Sequence, residues 1–215
     1  MSTMTTPARL TSDQPTFAPL AGLPHPGTPR LVAVPARRCL MIDGEGEPGN
    51  DAFQGAIGAL FGAVYTLHFT LKKAGRKGRI PALEGLWERT DGTPFGPGDL
   101  PPDPTAWRWT LLMEVPSDAT EGEVRASIEA AQIKRPSDAF ERLRFGPVEA
   151  QTVVEAMHVG PYSTEPLTIE RMHQTMREAG LRPVGRHHEI YLGDPRRSAP
   201  ERLRTILRQQ VEPTV

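Results

Sequence analysis

Only one cysteine, Cys39, occurs in 215 residues. A lone thiol cannot close an internal disulfide, so the fold must rest on a packed core, and such cysteine usage suits a reducing, bacterial-type cytoplasm. Cys39 sits in an apolar run and reads as a small buried hydrophobe. Charge of one sign is lacking as well. With 25 Lys and Arg against 26 Asp and Glu, the formal net charge is −1, which gives no footprint for DNA, RNA or an anionic membrane. No run approaches the roughly 18 apolar residues that a membrane-spanning helix needs. The first 30 residues hold Thr, Pro and Gly but no continuous apolar signal core. There is no HExxH and no second cysteine, and His187 and His188 point to opposite faces of a strand, so neither metal nor other cofactor is expected. Asp43-Gly44-Glu45-Gly46 is no phosphate loop, because it lacks Lys and Ser/Thr and its carboxylates would repel phosphate.

What is present is ordinary globular chemistry. Hydrophobic residues make up 38% and charged residues 24%, enough for one sizeable domain or two halves sharing a core. Prolines number 23 and mostly punctuate connections. Residues 1–29, with LPHPGTP at their end, read as a flexible N-terminal arm that offers few packing groups. From Arg30 a single domain is expected. LVAVPARRCLMIDGEG has strand-like order, ends in a glycine turn, and carries Pro35 where an edge or bulge is favoured. Asn50 or Asp51 can cap a helix in which Phe53, Ile57, Leu60, Phe61, Val64, Leu67, Phe69 and Leu71 recur at three- and four-residue spacing. Lys72, Lys73 and Gly75 suit its end. ALEGLWER (82–89) and WRWTLLMEV (107–115) read as extended, separated by a long loop of the kind that forms lids or rims.

The second half repeats this order. EGEVRASIEAAQIKR (121–135) is a preliminary helix, QTVVEAMHV (151–159) a strand and STEPLTIERMHQTMREAG (163–180) a helix. GRHHEIYLGD (185–194) is a strand, and ERLRTILRQQVE (201–212) is a strand or a short helix plus strand. The expected class is therefore α+β. Two strand-helix-strand-strand modules, about 30–116 and 121–212, would be related by a pseudo-twofold axis and share an antiparallel sheet, with a ligand cleft between the halves.

Taken in order, MIDGEGEPGNDAFQGAIGALFGAVYTLHFTLK, PALEGLWE, WRW, MHVGPYSTEPLTIERMHQ and HHEIYLGDPRRSAPERLRTILRQQV resemble the GyrI-like small-molecule-binding proteins over about residues 30–212. The likeness is greatest to a stand-alone bacterial branch that includes cyclopropanoid cyclopropyl hydrolases. The resemblance implies an aromatic, acid-containing cleft for planar xenobiotics. In the hydrolase branch it implies water addition that opens strained cyclopropane rings of genotoxic alkylators. Unlike related regulators, this chain has no recognisable helix-turn-helix and no basic DNA-reading arm. Sequestration of a small-molecule ligand without chemistry and a gyrase-inhibitor-like interaction remain alternative readings, and a homodimer is left open.

Strand alternation puts His187, Glu189 and Tyr191 on one face, an acid–base set or a structural hydrogen-bonded cluster. For the hydrolytic reading, Glu189 is the residue to orient and deprotonate water. Tyr162, at a strand-to-helix turn, and Tyr191 are the oxyanion donors, with His187 in reserve. Trp107 and Trp109 share a face and fit either a stacking wall or a core. Glu84 and Trp87 lie three apart and should face opposite ways unless Gly85 makes a bulge. Tyr65, one helical turn from Phe61 and Phe69, completes the expected ligand-binding set of Tyr65, Glu84, Trp87, Trp107 and Trp109.

Overall fold

A computed structural model describes residues 22–91 and 106–214. The chain order is β1 (Arg30–Val34), β2 (Arg37–Glu45), α1 (Asp51–Lys73), β3 (Leu83–Arg89), β4 (Trp107–Glu114), α2 (Glu121–Lys134), β5 (Arg144–Val148), β6 (Gln151–Val159), α3 (Glu165–Glu178), β7 (Leu181–Tyr191) and β8 (Arg204–Pro213). The strands form one sheet in the order β1-β6-β8-β7-β3-β4-β2-β5, antiparallel throughout. The architecture is α+β, with β2-α1-β3-β4 and β6-α3-β7-β8 as the repeated strand-helix-strand-strand units, joined where β3 pairs with β7.

The outermost strands are exchanged between the halves. β1 pairs with β6 and β5 pairs with β2, so the module limits near 30–116 and 121–212 do not follow the sheet. LVAVPARRCLMIDGEG is thus two strands, broken at Pro35–Ala36. β5, with sequence RFGPV, carried no clear strand pattern and lies at the sheet edge, where Pro147 is tolerated.

Connectivity fixes the shape of the sheet. β1 and β2 are six strand positions apart, about 29 Å in a flat sheet. Yet only Pro35 and Ala36 join them, a link that can span about 11 Å. Glu149 and Ala150 join β5 to β6 under the same limit. The sheet therefore curls until its two ends approach, although β1 and β5 do not pair.

The helices lie on the convex side. Asn50 caps α1, its side chain accepting a hydrogen bond from Phe53 N at 2.8 Å, and Gly75, at φ 79°, follows its end. Leu60, Val64 and Leu67 pack into a core with Trp109, Leu111 and Met113 of β4. α1 has 23 residues and holds an 18-residue stretch of mean hydropathy 1.2, long and apolar enough to cross a membrane, contrary to the sequence expectation. Eight of its residues, Phe53, Ala56, Ala59, Leu60, Ala63, Val64, Leu67 and Leu71, are buried in that core, while Tyr65 and Phe69 are exposed. Thr120 and Glu123 form a capping box that starts α2. Met172 and Met176 of α3 pack on Val154, Ala156 and Leu207. Of the expected N-terminal arm, residues 1–21 and the loop residues 92–105 lie outside the described residues. Residues 22–29 run beside β6, where Gly27 N donates to Met157 O at 2.9 Å.

The concave side carries charge. Glu84 is 4% exposed and accepts hydrogen bonds from Arg37 and, at 2.7 Å, from His188 Nε2. Glu155 is fully buried between Arg30 and Arg208, with contacts of 2.7 Å to each. Burial alone would push Glu84 up, but the bonds from Arg37 and His188 hold its carboxyl down to about 2. That depression contributes stability at pH values above the ordinary 4.5, and the contribution is lost as pH falls towards about 2. Glu84→Ala should cost about 3–5 kcal/mol, because it leaves His188 buried without its anion and Arg37 with only the more distant Glu114, at 3.6 Å. Urea unfolding at neutral pH checks the loss, and the variant should also show a shallower fall in stability on acidification.

Candidate functional site

Helices on the outside of a curled sheet must diverge. Between α1 and α3 the strip formed by β3 and β7 is left uncovered, and a cavity of about 610 Å³ opens there. The cap at Asn50 sets Phe53, Ile57 and Phe61 of α1 along one wall. The other wall comes from the Gly160-Pro161 turn, where Gly160 adopts φ 137°. The chain then delivers Tyr162 in a single helical turn and Glu165 as the first residue of α3. Glu189 and Tyr191 of β7 lie at the seam, and Trp87 of β3 and Trp107 of β4 beside them.

The aromatic rings lock to one another. Trp87 meets Trp107 edge to face at 5.5 Å and Phe53 at 5.8 Å, while Tyr162 meets Tyr191 edge to face at 6.2 Å. The Trp87 indole N–H donates to the Tyr191 hydroxyl at 3.1 Å. The charge of Glu189 bears on the same hydroxyl, and His187 Nε2 stands 3.4 Å from Glu189 Oε1. Burial first, and then the Glu189 charge, push the Tyr162 hydroxyl up to about 12 and raise Tyr191 as well, so both remain protonated donors.

Glu165 is the residue that sequence reasoning missed. It lines the cavity, is 3% exposed, and its Oε1 is buried without a hydrogen-bond partner. Burial, then the charge of Glu189, push its carboxyl up to about 9 against the pull of a hydrogen bond with Thr205. A glutamate in the first turn of a helix is commonplace, and nothing local marks this one as buried opposite a second acid.

The expected site residues divide. Glu189, Tyr162, Tyr191, Trp87 and Trp107 line one cavity. His187 stands behind Glu189 and does not line it. Trp109 is a correction: it is fully buried beneath Phe53, at 5.1 Å, and against Gly44. Tyr65 is another, being 43% exposed on the outer surface of α1, stacked between Phe61 and Phe69. Glu84 is the third, because β3 is regular and alternation turns it to the concave face. The irregularity lies instead in β7, between Val184 and His187. Among the described residues no group of three or more His, Cys, Asp or Glu side chains could hold a metal ion.

Fold and cleft together define an α+β small-molecule-binding domain. The model of the GyrI-like small molecule binding domain matches residues 113–210. An uncharacterized conserved protein from Listeria innocua shares 35% identity and a TM-score of 0.77, over 87% of this chain and 93% of that one. A hydrolase from Listeria innocua shares 33% identity and a TM-score of 0.73, over 91% of this chain and 94% of that one. The EcmrR C-terminal domain, at 12% identity and a TM-score of 0.50 over 86% of this chain and 98% of that one, shares the fold alone. No curated protein matches. The chain belongs to the GyrI-like small-molecule-binding family.

Gly85 explains how the seam holds its aromatic pair. It lies opposite Glu189 in the β3–β7 ladder, and a Cβ there would come within 2.6 Å of Trp87 Nε1 and 2.9 Å of the Tyr191 hydroxyl oxygen. Gly85→Ala should therefore break that hydrogen bond and destabilise the protein by about 1–3 kcal/mol through overpacking. Urea unfolding and a shift of the Trp87 emission check it.

Proposed function

We propose that this protein binds planar aromatic xenobiotics in its cleft and adds water to those that are electrophilic, opening a strained cyclopropane ring conjugated to a dienone. The observation that carries the reading is the carboxyl group of Glu189 set in a cavity walled by aromatic rings, with two tyrosine hydroxyls that cannot readily ionise lining the same cavity. Similarity to a protein described as a hydrolase supports it. The rings of Trp87 and Trp107 provide stacking area for a flat ligand. Glu189 orients the water and takes its proton as the bond to carbon forms. The Tyr162 and Tyr191 hydroxyls offer hydrogen bonds to the oxygen that becomes negative. His187 Nε2 stands behind Glu189, 3.4 Å from its Oε1. The buried lone Cys39 suits a cytoplasmic detoxifying role of this kind.

Sequestration without chemistry is the second reading. Two carboxyl groups within an aromatic cavity would also hold a planar cation. Mass spectrometry of a spirocyclopropyl dienone after incubation separates the two, one water added against an unchanged compound.

Two outcomes are expected. A planar aromatic ligand should quench tryptophan emission, and replacing Trp87 and Trp107 together by Phe should abolish most of that response, leaving the buried Trp109 nearly silent. Glu189→Gln keeps the shape but removes the base, so the rate of water addition should fall on the order of a hundredfold with affinity little changed. A Glu189→Gln protein that hydrolyses at the wild-type rate overturns the assignment.

A further inference from the structure

We propose that Glu165 is the proton donor of the cleft, passing a proton to the ligand oxygen that gains charge as water adds. This rests on the hydrolytic reading above and extends it from one carboxyl group to two with opposite tasks.

The geometry singles Glu165 out. Both acids line the same cavity, one from the start of α3 and one from β7. Glu165 is the more deeply buried, and among the described residues no arginine, lysine or histidine makes an ion pair with it. Its unpartnered Oε1 is a buried polar atom in a wall where one would ordinarily be satisfied. A ligand oxygen would complete it. The titratable groups that face it are Glu189, Tyr162 and Tyr191; the tyrosines stay neutral, and the charge of Glu189 is the one that disfavours a second negative charge there. Asp194 and Arg196 at the rim are bonded to each other. Two neighbouring carboxyl groups in such surroundings cannot both be ionised, so the proton rests on one. Glu165, the member with less water around it, keeps it.

The tyrosines cannot do the same work. The Tyr162 hydroxyl, near 12, gives up its proton less readily than the phenol produced by ring-opening, whose ordinary value is about 10. Glu165, a carboxylic acid raised by burial and by Glu189, stays more acidic than that hydroxyl and can give its proton up.

The step balances. The water oxygen bonds to a cyclopropane methylene carbon, and Glu189 accepts one water proton. The bond from that carbon to the spiro carbon breaks, and its electron pair moves through the dienone to the carbonyl oxygen. Glu165 protonates that oxygen, giving a phenol. A proton then returns from Glu189 to Glu165, which restores both acids without outside help. One water is consumed and no oxidant or reductant is needed.

The test has an arm that does not depend on hydrolysis. Infrared difference spectroscopy of the ligand-free protein, titrated from neutral to alkaline pH, should show the carbonyl stretch of a protonated carboxyl group that disappears near about 9. The band should be missing in Glu165→Gln and kept in Glu189→Gln, where loss of the neighbouring charge shifts its midpoint. In the second arm, a synthetic spirocyclopropyl dienone is the probe and single-turnover rates are followed against pH. The wild-type rate should fall as pH rises through the same point. Glu165→Gln should lower the rate on the order of a hundredfold, flatten that alkaline limb and leave quenching affinity within a few-fold. Glu165→Asp should recover part of the rate. A wild-type band that survives Glu165→Gln, or a Glu165→Gln protein with the wild-type rate and pH profile, overturns the assignment. A protein with the band that never adds water overturns the hydrolytic reading instead, leaving Glu165 protonated but without that reaction.

Discussion

Two links of two residues each, Pro35–Ala36 and Glu149–Ala150, tie strands that lie far apart in the sheet order. Because so short a link cannot cross a flat sheet, the sheet must curl. From that curl come both the sheltered concave face and the spreading of α1 and α3 on the convex one. The gap between the helices falls over β3 and β7, the seam of the pseudo-twofold arrangement. A cleft at this place is thus a consequence of chain connectivity. Its chemistry is set by the side chains that β3 and β7 present there.

The two faces treat buried charge in opposite ways. On the concave face Glu84 has Arg37 and His188, and Glu155 has Arg30 and Arg208. Those acids have close cationic or imidazole partners, which is what burial of a carboxylate requires. On the convex face Glu165 and Glu189 lie together among aromatic rings, and one oxygen of Glu165 has no partner. Leaving a buried acid unsatisfied costs stability. A family whose domain binds small molecules gives a physical reason for the exception, since a ligand can supply the missing interaction.

Aromatic residues are sorted by the same architecture. Trp107 and Trp109 share one face of β4, yet only Trp107 reaches the cavity. Trp109 is pinned under Phe53 and against Gly44, where no other residue would leave room for its ring. Tyr65 continues the line of Phe61 along α1 but has turned away to solvent by the next helical turn.

By itself the sequence determined the helices, through their caps and apolar spacing, and most strands, through alternation. It determined the repeated strand-helix-strand-strand order and the shared face of Glu189 and Tyr191. These are local properties, settled by residues a few positions apart. It left β5 unseen, because an edge strand such as RFGPV pairs on one side only and need not alternate. Tertiary structure decided which strand faces look inward, since alternation says that Glu84 and Trp87 oppose each other but not which of them meets a helix. It decided that Trp109 is core and Trp107 is wall, because identical spacing serves both. And it alone brought Glu165 beside Glu189. Burial and the field of a neighbouring charge arise from contacts between residues distant in the chain, and no local pattern carries them.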